Sequence, residues 1–138
     1  MITINLKGRE VPLLYTTWEM KQIQEEIAPM DKAMKLVLGK NPDDEDDMSP
    51  YGGAEHLKHV GTLIRILGNS GLEEAGEAPD LTEKKILKAL KPGQLTDAIG
   101  ACINAMAEGM SSEIPEKKNE GPVDVVLEEI EKKKEKAD

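Results

Sequence analysis

Apolar positions first recur with a period of two. Ile2, Ile4 and Leu6 fall on one face, Lys7-Gly8-Arg9-Glu10 interrupts them, and Val11, Leu13 and Tyr15 resume the alternation. Alternation about a glycine turn predicts a β-hairpin. Pro12 has no N–H to give to a ladder, so the second arm is expected at an edge or with its pairing interrupted there. A lone hairpin is marginal in water and needs a helix over its apolar face.

Helical spacing follows. Thr16-x-x-Glu19 has the form of a capping box, and behind it Met20, Ile23 and Ile27 recur on one side until Pro29. Asp31 is placed to cap a short second helix with Met34, Val37 and Leu38 on one face, ended by Gly39. Leu57, Val60, Ile64 and Leu67 mark a third helix from Ala54, with Gly68-Asn69-Ser70-Gly71 as its stop. Asp80-x-x-Glu83 then opens a fourth, with Ile86, Leu87 and Leu90 inward, and Lys91-Pro92-Gly93 breaks it. Leu95, Ile99, Cys102 or Ile103, Met106 and Met110 carry a fifth from about Gln94 to Gly109. The periods predict a mainly α protein, a small helical bundle with an N-terminal β-hairpin and a flexible charged C-terminal tail.

Two stretches depart from this pattern. Residues 40–53, KNPDDEDDMSPYGG, hold two prolines, paired glycines and five consecutive acids from Asp43 to Asp47, and read as an acidic mobile loop within a 1–110 domain. Residues 111–138 read as a charged tail in which Val123, Val126, Leu127 and Ile130 trace a short latent amphipathic helix before Lys132-Lys133-Lys134. Isolated helices this short are marginal, so this one is expected to order only against a partner or a sister subunit.

Composition narrows the function. The 138 residues carry 18 Lys and Arg against 27 Asp and Glu, a net charge of −9, which disfavours phosphate backbones and anionic lipid as partners. Neither nucleic acid nor membrane is expected. A single cysteine forms no internal disulfide, no apolar run exceeds three residues, and no leader pattern opens the chain, so a soluble cytoplasmic protein is expected. Phe is absent and aromatics are only Trp18, Tyr15 and Tyr51, which leaves aliphatics and seven Met to fill a modest core.

Chemistry-bearing residues do not assemble into a recognisable catalytic or metal motif. His56 and His59 lack an H-E-x-x-H context and read as polar-face histidines. The Asp43 to Asp47 run lacks the alternating ligands of a calcium loop. Cys102, between Ile99 and Met106, reads as a buried inert thiol. The expectation is a non-enzyme with no metal and no cofactor. Met20, Met34, Met106 and Met110 read first as core filling and second as an adaptable sticky surface. Trp18 reads first as a core anchor against the hairpin and second as an interface hot spot. The candidate protein-interaction residues are therefore Trp18, Met106, Met110, Val123, Val126, Leu127 and Ile130.

The opening, MITINLKGREVPLLYTTWEMKQIQEEI, resembles the start of tail assembly chaperones of long-tailed bacteriophages and prophages. The likeness rests on the hairpin with its Lys7-Gly8-Arg9 turn, the aliphatic strand Val11-Pro12-Leu13-Leu14-Tyr15 and the capped helix from Thr16 to Ile27. It covers residues 1 to 110 in layout and the first thirty in detail. The resemblance implies an assembly factor of the host cytoplasm, absent from the mature virion, that coats and solubilises the tape-measure protein, helps recruit the tail-tube protein and self-associates. It also implies that a longer frameshifted form exists in many members, for which the lysine run at 132 to 134 is a candidate position. Two other classes stay open: a virion structural or head-to-tail joining protein, and an acidic inhibitory protein-binding module.

Overall fold

The computed structural model describes residues 2–39 and 53–111. The acidic stretch at 40–52 and the tail at 112–138, with Val123, Val126, Leu127 and Ile130, lie outside the described residues.

The chain opens with an antiparallel hairpin of β1 (Thr3–Leu6) and β2 (Arg9–Pro12), in the register Ile4 opposite Val11 and Leu6 opposite Arg9. Lys7 and Gly8 both have positive φ, 55° and 86°, the requirement of a two-residue turn whose twist matches that of the strands. The Asn5 side chain accepts a 2.8 Å hydrogen bond from the Gly8 N–H and holds the turn. Pro12 ends β2, yet the Leu13 N–H still reaches the Ile2 carbonyl at 2.9 Å.

Helix α1 (Thr17–Glu26) starts at the expected capping box on Thr16 and Glu19. Helix α2 (Met30–Val37) starts two residues earlier than a cap at Asp31 would set it: Pro29 holds the N-cap position and Asp31 sits in the first turn. Gly39, at φ 81°, follows its end. Helix α3 (Ala54–Glu74) overturns the expected stop after Leu67, because Gly68, Asn69, Ser70 and Gly71 continue the helix. Helix α4 (Glu83–Ala89) is capped by Thr82, whose side chain accepts from the Lys85 N–H, so the Asp80 box does not form. Asp80 instead pairs with Arg9 at 3.1 Å. The break at Lys91-Pro92-Gly93 stands, as one 3-10 turn (Pro92–Gln94) leading into α5 (Leu95–Met110).

Helix α3 is the axle of the fold. It contacts β2 and each of the other four α-helices, while α5 also reaches β1. Ile4, Leu6, Val11, Leu13, Ile23, Val37, Val60, Leu63, Ile64, Leu67, Ile86 and Cys102 join one buried cluster around it. The architecture is mainly helical with an N-terminal two-stranded hairpin.

The 68–71 segment stays helical because each residue meets a partner. A Cβ on Gly71 would stand 1.8 Å from the Pro12 carbonyl oxygen, and one on Gly68 2.7 Å from Leu81. At Gly71 the opposing atom is backbone and only glycine permits the approach, while at Gly68 it is the end of the Leu81 side chain, which must shift to admit a methyl group. The Asn69 side chain accepts from the Leu81 N–H at 2.9 Å and donates to its carbonyl at 3.1 Å, copying a strand partner. Ser70 Oγ donates to Glu19 Oε2 at 2.5 Å, tying α3 to the cap of α1.

Glu19 is only 3% exposed. Burial pushes its carboxyl up, but hydrogen bonds from the Ser70 and Thr16 side chains and the Thr16 N–H outweigh that and hold its pKa below the ordinary carboxylate value.

Candidate protein-interaction surface

Two large apolar side chains stand out among the described residues: Trp18 is 60% exposed and Met110 66%. Trp18 is therefore not the core anchor that its place beside Tyr15 led one to expect; Tyr15 is the buried one. The spacing holds the reason. Met20, Ile23 and Ile27 point one side of α1 inward, and position 18, at 100° per residue, falls on the opposite side. The indole is covered in part by Lys21, whose Nζ lies 5.1 Å from the ring centroid. Beside it lies a shallow polar cavity of about 160 Å³ bounded by Gln22, Arg65, Ser70 and Glu73. Arg65 is held there by an ion pair with Glu26.

Met106 fills the core, as its first reading has it, and leaves the set of interaction candidates. It is buried with Ala98, Ile99, Cys102 and Ala105 on the inner face of α5 and offers nothing to a partner. Met110, one turn on, is exposed. Both exposed residues nevertheless lie close along the chain to one contact: a Cβ on Gly109 would stand 2.2 Å from the Tyr15 carbonyl oxygen, so the last turn of α5 rests against the backbone just before α1. Met110 is the next residue after that contact, and Trp18 is three residues beyond Tyr15.

A second apolar feature gathers side chains that helical spacing places on apolar faces. Leu57 of α3, Leu87 and Leu90 at the end of α4, Pro92, and Leu95 and Thr96 at the start of α5 surround a cavity of about 380 Å³, with Lys91 at its edge. Leu57, Leu87, Leu90 and Leu95 are each only half-buried. Their spacing marked them as inward-facing, which they are, but no described element closes the wall over them. Lys91 lines the edge, and α4 carries exposed Lys84 and Lys88 together with exposed Glu83 at its start.

The histidines also depart from expectation. His56 is buried, and its Nε2 lies 2.7 Å from the Val37 carbonyl, joining the start of α3 to the end of α2. His59 lies 3.7 Å from Glu55, and its burial lowers its pKa below the ordinary value. Among the described residues no three His, Cys, Asp or Glu side chains are grouped to hold a metal. Cys102 is buried as expected, with its thiol pushed up to about 12 by that burial, which leaves it protonated and unreactive at neutral pH. Among the described residues no helix is long and apolar enough to cross a membrane.

No family model, curated protein or solved structure matches the chain.

Proposed function

We propose that the chain is a non-enzymatic tail assembly chaperone of a long-tailed bacteriophage or prophage. In this reading it binds the tape-measure protein in the host cytoplasm, keeps it soluble and helps bring tail-tube subunits to it, acting as several copies. The observation that carries the reading is the exposure of Trp18 and Met110, each within three residues along the chain of the Tyr15–Gly109 contact, at the hairpin-to-helix junction where the resemblance is most detailed. A client that is long, apolar and variable along its length calls for a rigid anchor beside an adaptable one. Trp supplies large contact area, and Met repacks readily against changing partners. The acidic balance of the chain keeps a complex of many copies in solution by mutual repulsion.

The test is co-expression with the tape-measure protein of the genome that encodes the chain. The wild type should raise the soluble fraction of that client several-fold, and Trp18→Asp with Met110→Asp should abolish the rise while the circular dichroism spectrum is unchanged. Met106→Asp serves as the control for a change in the core. Absence of any rise with the wild type overturns the reading, and recovery of the chain in purified virions assigns it to the particle instead.

A further inference from the structure

We propose that the groove between α3, α4 and the start of α5 is the seat of the chain's own residues 123–131, VDVVLEEIE. Three independent properties of groove and segment agree.

Polarity is the first. The groove presents Leu57, Leu87, Leu90, Pro92 and Leu95 around about 380 Å³, an apolar wall left half-covered by the described fold. The segment offers Val123, Val126, Leu127 and Ile130, one helical stripe at spacings of three, one and three. Helix-in-groove recognition reads such anchors.

Charge is the second. The described residues hold 11 basic and 13 acidic side chains, so the body of the protein is close to neutral, while Lys91 lines this groove and Lys84 and Lys88 are exposed on α4, the helix that forms one of its walls. Lys85, on the same helix, is turned back to the Asp80 carbonyl at 3.1 Å. Residues 123–131 hold Asp124, Glu128, Glu129 and Glu131 and no basic residue. The segment and these three lysines are thus opposite in sign, whereas most of the protein's surplus charge would repel such a segment.

Reach is the third. Ser111 ends the described chain and Val123 lies twelve residues on, a span of up to about 40 Å. The groove lies at the other end of α5, whose 16 residues extend only about 24 Å. The chain therefore doubles back along α5 with slack. A tethered segment is present at an effective concentration near the millimolar range, so its own copy outcompetes that of a neighbour at micromolar protein. The seat does not depend on the chaperone reading.

Amide hydrogen exchange on the full chain tests it. In the wild type, amides of residues 126–131 should exchange at least about tenfold more slowly than in an unstructured chain, equally at low and high protein concentration. Leu127→Asp with Ile130→Asp should return them to the unstructured rate. Lys84→Glu with Lys91→Glu should do the same, and adding Glu128→Lys with Glu131→Lys should restore the slowing. Exchange at the unstructured rate in the wild type overturns the proposal, as does slowing that survives the lysine reversal. Slowing that grows with protein concentration overturns it in favour of a second copy's segment.

Discussion

Two segments of this chain carry helix-breaking residues and meet opposite fates. Gly68-Asn69-Ser70-Gly71 runs through the interior of α3 as regular helix, whereas Lys91-Pro92-Gly93 separates α4 from α5. Proline explains half of the difference, since it has no N–H for the helical ladder and its ring crowds the preceding turn. The rest comes from surroundings. A Cβ on Gly93 would meet nothing within 4 Å, while one on Gly71 would collide with the backbone of β2. Glycine at 71 is there so that a strand can lie against a helix, and the tertiary contact repays the helix propensity it sacrifices. Weak helix formers inside a helix thus record where another part of the chain comes close.

Substitutions separate the two cases. Gly71→Ala should cost about 3 kcal/mol or more, because the Pro12 carbonyl is backbone and cannot swing aside; urea unfolding measures it, and a loss below that of an ordinary surface change would show that α3 and β2 slide apart freely. Asn69→Ala should cost about 2 kcal/mol, as it orphans both the N–H and the carbonyl of Leu81.

Glu19→Gln sharpens the comparison through pH. The folded carboxyl has the lower pKa, so its contribution is fully present above the ordinary value near 4.3 and is lost as pH falls through the folded pKa. The substitution should cost about 1.5 kcal/mol at pH 7 and flatten the acid limb of the stability curve; an acid limb of unchanged slope would mean that other carboxylates set it. Gly93→Ala completes the series with a change within about 0.5 kcal/mol, stabilising in sign because it stiffens the unfolded chain.

Legibility followed distance along the chain. The hairpin, the Thr16 box and the inward face of Ile23 are written in residues a few positions apart, and local chemistry was enough to read them. The partners of the 68–71 segment lie far off: Asn69 meets Leu81 twelve residues on, and Ser70 meets Glu19 fifty-one residues back. A single-sequence reading prices the glycines and cannot see what approaches them. Trp18 was legible and misjudged, since its angle to the Met20, Ile23 and Ile27 stripe already placed it outward. Leu57, Leu87 and Leu90 are correctly oriented, but the open wall over them is built from three separate elements, α3, α4 and the start of α5, whose placement periodicity does not encode.

The Tyr15–Gly109 contact also sets a clock. Ninety-four residues separate the two positions, and at ~5 to 20 residues per second a ribosome needs roughly 5 to 20 s to pass from one to the other. Through that interval the hairpin has been made but its closing contact has not. Two strands alone are marginal in water. Val11 and Leu13 gain their cover once α3 follows, at Gly68, but the backbone at Tyr15 waits for the last described helix, and nascent-chain proteolysis at Tyr15 should fall away only once Gly109 has emerged.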